Sequence, residues 1–139
     1  MVVFVMAVLC AIAVPRYVNA SNSYHADMAA RKVAADLGLA RSQAWASGSG
    51  HTVTFNVQAN QYTLVGVTDP VKKTQANTVV NLTSSPYTAT VVSASFGGQP
   101  SVVFDGYGIP SAGGTVVVSS GGYQRTISLD AGSGNVTTP

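Results

Sequence analysis

The sequence has little charge and almost no cysteine. Charged residues make up 9% of its 139 positions and the net charge is +2, too small a surplus to imply a polyanionic partner by itself. The only cysteine, Cys10, stands in an apolar run. No intrachain disulfide can form, so the fold cannot rest on one. The carboxylates are Asp27, Asp36, Asp69, Asp105 and Asp130. Three of these stand before Pro, Gly or Ala-Gly, in turn contexts where hydrogen bonding to the backbone explains them. His25 and His51 have no cysteine or carboxylate at ligand spacing, so neither metal nor cofactor is expected. No serine lies in a Gly-x-Ser-x-Gly elbow, and Ser119-Ser120-Gly121-Gly122 has no helix after it to form a phosphate nest. The chain is therefore not expected to be an enzyme.

What the sequence has instead is a long helix whose halves suit different solvents. Met1, Val2, Val3, Phe4, Val5, Met6, Ala7, Val8, Leu9, Cys10, Ala11, Ile12, Ala13 and Val14 form an unbroken apolar run that ends at Pro15. Such a segment belongs in lipid or between other helices. After Pro15-Arg16-Tyr17 the chain stays rich in alanine but acquires a stripe: Val33, Leu37, Ala40 and Ala44 recur at helical spacing. Asp27, Arg31, Lys32, Asp36 and Arg41 fall largely off that line. At about 1.5 Å per residue the first fifty residues make a rod of roughly 70 Å, longer than so small a domain is wide. Half of it is expected to protrude. The chain thus divides at 1–24, the membrane or filament-core half of the helix, and 25–139, the globular part.

Rival readings of the apolar run are a signal peptide with Ala11-Ile12-Ala13 as its small-x-small site, or a lipoprotein site at Cys10. The first lacks a basic flank, and the second has Leu9 where a small residue is needed. A membrane span wants ~20 apolar residues, so the run is expected to begin upstream of Met1.

The remainder reads as short strands. Gly48-Ser49-Gly50 ends the helix. His51 to Val57 and Gln61 to Val67 alternate as a hairpin. Thr78 to Leu82, Tyr87 to Ser95, Ser101 to Phe104, Thr115 to Ser119 and Gln124 to Leu129 follow, bounded by glycine or proline. An antiparallel sheet covering the stripe of Val33, Leu37, Ala40 and Ala44 gives an α+β fold.

The trunk MVVFVMAVLCAIAVPRY resembles the N-terminal helix of the type IV pilin superfamily, with Pro15 at the place of that family's helix proline. The resemblance implies a leader and a Gly-Phe-Thr-Leu-x-Glu stretch upstream of Met1. LGLARSQAWASGSGHTVTF, carrying Leu37, Ala40, Arg41 and Ala44, is similar to the opening of the globular domain in GspH/FimT-type pseudopilins. Phe104, Gly108 and the valine-rich and arginine-containing strands after them resemble that group's closing strands. The resemblance implies a pilin fold and a structural role: a type IV pilus or type II secretion pseudopilus subunit that assembles through its apolar helix. Implied partners are further copies or other pilins, the inner-membrane assembly machinery and the membrane itself. The implied location is the inner membrane before assembly, and a periplasmic pseudopilus or extracellular pilus after it.

A different class of function is a pilus-tip binding module for DNA or adhesion. Lys72, Lys73 and Arg125 could form a basic patch for nucleic acid, but two solvated loop lysines and a strand arginine is the weightier reading. Relatives noted for DNA binding carry Gly-Arg-x-Arg near the C-terminus, where this chain has Gly132-Ser133-Gly134-Asn135. Nucleic acid is not the favoured partner. Pro15 removes a helical hydrogen bond and crowds the carbonyl of Ala11. A bend or local melting between Ala11 and Tyr24 is accordingly expected in an assembled filament.

Overall fold

The computed structural model describes the backbone of residues 2–68, 71, 73 and 77–138, and side chains from residue 20 onward. Helix α1 runs from Val2 to Ser47 without interruption, through Pro15. It stops where glycine makes stopping easy. Gly48 adopts φ 64° and its N–H donates to the Trp45 carbonyl, a left-handed residue closing the last turn.

Among the described residues eight strands follow: β1 (His51–Asn56), β2 (Gln61–Val65), β3 (Asn77–Asn81), β4 (Thr90–Phe96), β5 (Ser101–Phe104), β6 (Gly114–Ser120), β7 (Tyr123–Leu129) and β8 (Val136–Thr137). They form two antiparallel sheets where the sequence suggested one, in the orders β3-β2-β1-β5 and β4-β6-β7-β8. The hairpin β1–β2 is the local pairing expected from alternation, and β6–β7 is a second hairpin turning at Gly121-Gly122. The pairing of β5 with β1, by contrast, joins His51 to Phe104 and Val53 to Val102.

Two strand boundaries shift for identifiable reasons. β2 ends at Val65 because Gly66 turns to φ 78° and gives its N–H to the Asn77 side chain. The segment from Tyr87 does not begin β4 directly. The N–H groups of Tyr87 and Thr88 are taken by the Ser84 carbonyl, and Thr88 stands at φ 46°, so the ladder starts at Thr90.

Each sheet turns one face inward. Val53 and Phe55 of β1 and Tyr62 and Leu64 of β2 are buried, as are Val116, Val118, Ile127 and Leu129 of β6 and β7. These two faces meet each other and α1. Phe55 packs on Phe96 of the second sheet with ring centroids 5.8 Å apart. The helix contributes Ala26, Ala29, Ala30, Val33, Leu37, Ala40 and Ala44, all buried. Alanine dominates this stripe because both sheets approach the helix closely, and larger side chains are confined to positions 33 and 37.

Candidate functional site

One charged residue on α1 belongs to the interior. Asp36 is 4% exposed; one carboxylate oxygen accepts from Lys32 Nζ at 3.0 Å and the other from the Tyr62 hydroxyl at 2.5 Å. Read by type, Asp36 falls off the apolar stripe, yet 29, 33, 36 and 40 share one helix face. Its partner is found only across the sheet. Tyr62 is held far above the ordinary tyrosine value of 10.0, first by burial, then by the Asp36 charge, the hydrogen bond to Asp36 and the charge of Tyr87. The folded chain keeps a proton that the unfolded chain loses. The associated stability is therefore present below about pH 10 and is lost as pH rises beyond it, at up to ~1.4 kcal/mol per pH unit. Urea unfolding followed from roughly pH 8 to 11 should show this slope, and Tyr62→Phe should remove it while costing ~1–3 kcal/mol at neutral pH by leaving Asp36 without that donor. An unchanged slope in the variant would count against the assignment.

Of the residues named for a basic patch, Arg125 is already occupied. Its Nε donates to Asp27 at 2.6 Å, Nη2 to Ser23 Oγ and Nη1 to the Gln124 carbonyl. Lys73 is exposed on the loop leading to β3, in the other sheet, and Lys72 lies outside the described residues. The side chains of Met1 to Pro15 also lie outside them. Among the described residues no helix is long and apolar enough to cross a membrane, and no group of three or more metal-ligating side chains occurs. Asp105 accepts from the N–H groups of Tyr107 and Ile109. Asp130 accepts from Ser133 Oγ and N–H, contacts that hold its carboxyl below the usual range. Asp69 lies outside the described residues.

The surface feature with most chemical character is a groove of about 740 Å³ between the outward face of α1 and the segment from Gly134 to Thr137. Gly38 and Ser42 keep the helix side low. Arg41 lines the groove, built in by two glycines. Gly108 (φ 74°) and Gly134 (φ 72°) pass so near that a Cβ on either would stand 3.0–3.2 Å from the arginine side chain. Nε donates to the Gly108 carbonyl at 3.2 Å and Nη1 to Asn135 Oδ1 at 3.3 Å. Trp45, one turn further along α1, lines the groove and is 69% exposed. Tyr107, in the turn that contacts Arg41 through Gly108, is 80% exposed. The sequence marked Arg41 as part of a family segment but gave no sign of this setting, because its partners lie 67 and 94 residues away. The exposure of Trp45 is foreshadowed only by its distance from the Val33, Leu37, Ala40, Ala44 line.

This arrangement offers a surface for protein contact: a fixed cation, a bare indole and a floor of small residues. The family described as "Type II transport protein GspH" matches residues 29–133. No curated protein sequence matches the chain. Among solved structures, the minor pseudopilin EpsH from the type 2 secretion system of Vibrio cholerae is similar in fold. The TM-score is 0.60 at 14% identity, over 83% of this chain and 96% of that one.

Proposed function

Because the chain belongs to the GspH family of type II transport proteins, we propose that it is a subunit of a type II secretion pseudopilus, assembled through its N-terminal helix. The family match is the observation that carries this reading, and it takes in the helix half that packs on the sheets together with nearly all the strands. On this reading the chain divides into 1–24, the membrane or filament-core half of the helix, and 25–139, the globular part. The apolar run from Met1 to Val14 rests in the inner membrane before assembly and among the apolar helices of other subunits after it. Both surroundings are non-aqueous, so moving the subunit from one to the other never exposes the run to water at ~25 cal/mol per Å². Packing between helices supplies the gain that lipid alone does not. The globular part then coats the filament on the periplasmic side.

The test separates the two halves. A chain cut to begin near Ser23 should be soluble, monomeric and folded, with sheet and helix signals in circular dichroism, yet should not restore secretion to cells lacking the full chain. Full-length chain should restore it. Aggregation of the shortened chain, or secretion restored by it, would overturn the division of roles.

A further inference from the structure

The groove on the outer face of α1 contains a charge that the subunit does not neutralise. Arg41 Nε and Nη1 are engaged by neutral oxygens. Among the described residues Nη2 has no hydrogen-bond partner and no carboxylate pairs the guanidinium, whereas Lys32 and Arg125 each have an aspartate. The other residues lining the groove are uncharged. A fixed cation in an otherwise uncharged groove selects a carboxylate, for which the guanidinium fork is well matched. Trp45 lines the same groove, exposed, and Trp and Arg are among the side chains in which binding energy concentrates at protein interfaces.

We propose that this groove is a docking site for a neighbouring pseudopilin of a different kind, which inserts a loop carrying an Asp or Glu against Arg41 and an apolar side chain against Trp45. The proposal rests on the pseudopilus reading. Charge complementarity favours a different subunit over a second copy. Of this chain's own described carboxylates, Asp27 and Asp36 are already ion-paired, and Asp105 and Asp130 are bound to the backbone of their own turns. The slot formed by Gly108 and Gly134 holds Arg41 in place before the partner arrives, so little ordering is left for docking to accomplish.

The experiment uses the full chain in cells with their complete secretion apparatus, carrying a photoreactive phenylalanine at position 45 in place of Trp45. Irradiation should join it to another pseudopilin, and mass spectrometry should place the link beside an Asp or Glu. Arg41→Glu should cut the adduct by ~10-fold, the equivalent of ~1.4 kcal/mol. Changing the located acid to Arg should restore it in that background. Because Arg41 also ties the Gly108 and Asn135 segments together, a second variant leaves those ties alone. Gly38 is exposed and has nothing within 4 Å of a built Cβ, so Gly38→Trp fills the groove without disturbing the core and should also abolish the adduct. Adducts with a second copy of this chain, with a secreted protein or with nucleic acid would overturn the proposal. So would an adduct undiminished by both variants. If deleting the chain leaves secretion intact, the pseudopilus reading itself fails. If deletion blocks secretion while both variants secrete normally and keep the adduct, the groove proposal fails alone.

Discussion

Gly114→Ala should leave the chain largely unfolded at physiological temperature. Gly114 opens β6, the strand hydrogen-bonded between β4 and β7, and stands opposite Phe96 on one side and Leu129 on the other. A Cβ built on it would collide with the Ser95 carbonyl oxygen and lie 2.7 Å from the Phe96 Cα and 2.8 Å from the Ser95 carbonyl carbon. All three are backbone atoms of a paired strand, so relief requires β4 to move as a whole. Overpacking a core typically costs ~1–3 kcal/mol even where side chains can give way. Here none can, and a cost above ~3 kcal/mol is expected, a large part of the ~5–15 kcal/mol available to a domain. Gly132→Ala serves as the control, because its Cβ would meet only the Asp130 carboxylate at 3.8 Å; a change within ~0.5 kcal/mol is expected there. Chemical denaturation of the two variants side by side decides the matter. Equal stabilities would mean that β4 and β6 are not packed as described.

The second large effect is expected at Leu37. It is 1% exposed and is the largest side chain in the stripe α1 presents to the sheets. Leu37→Ala removes that bulk from the meeting point of three layers, and rigid backbone on two of them limits how far the site can collapse. A loss of ~3–5 kcal/mol is expected, the upper part of the range for leucine truncation. At roughly 4 °C per kcal/mol, where the ranges for smaller and larger domains meet, the melting temperature should fall by about 12 °C or more. Val33→Ala, in the same stripe but with less to remove, should cost less. A Leu37→Ala protein that melts within a few degrees of the parent would show that the helix is held by something other than its stripe.

The reason Leu37 could be placed from sequence and Asp36 could not lies in what each signal encodes. Periodicity records which residues are apolar, so Val33, Leu37, Ala40 and Ala44 declared a buried face. A buried aspartate has no such mark. Asp36 sits inside because Tyr62 and Lys32 satisfy it, and Tyr62 is 26 residues away on a strand whose register had to be known first. Hairpins were legible for the same local reason. The split into two sheets was not, since alternation in Ser101 to Phe104 reveals a strand but not that its neighbour is His51 to Thr54. The slot around Arg41 depends on two left-handed glycines brought in from distant turns, which no pattern along the helix anticipates.

Helix α1 touches β1 and β5 of one sheet and β6, β7 and β8 of the other, and its apolar stripe lies along its own axis. Tension applied to the N-terminal end therefore loads the stripe in shear. Val33, Leu37, Ala40 and Ala44 must slip past both sheets together, along with the Asp36 tie to Tyr62 and the Arg41 tie to Gly108. Strands pulled from their ends can instead unzip one bond at a time. Force applied at the N-terminal end of α1 thus reaches the whole globular part at once and leaves the strand ladders unloaded.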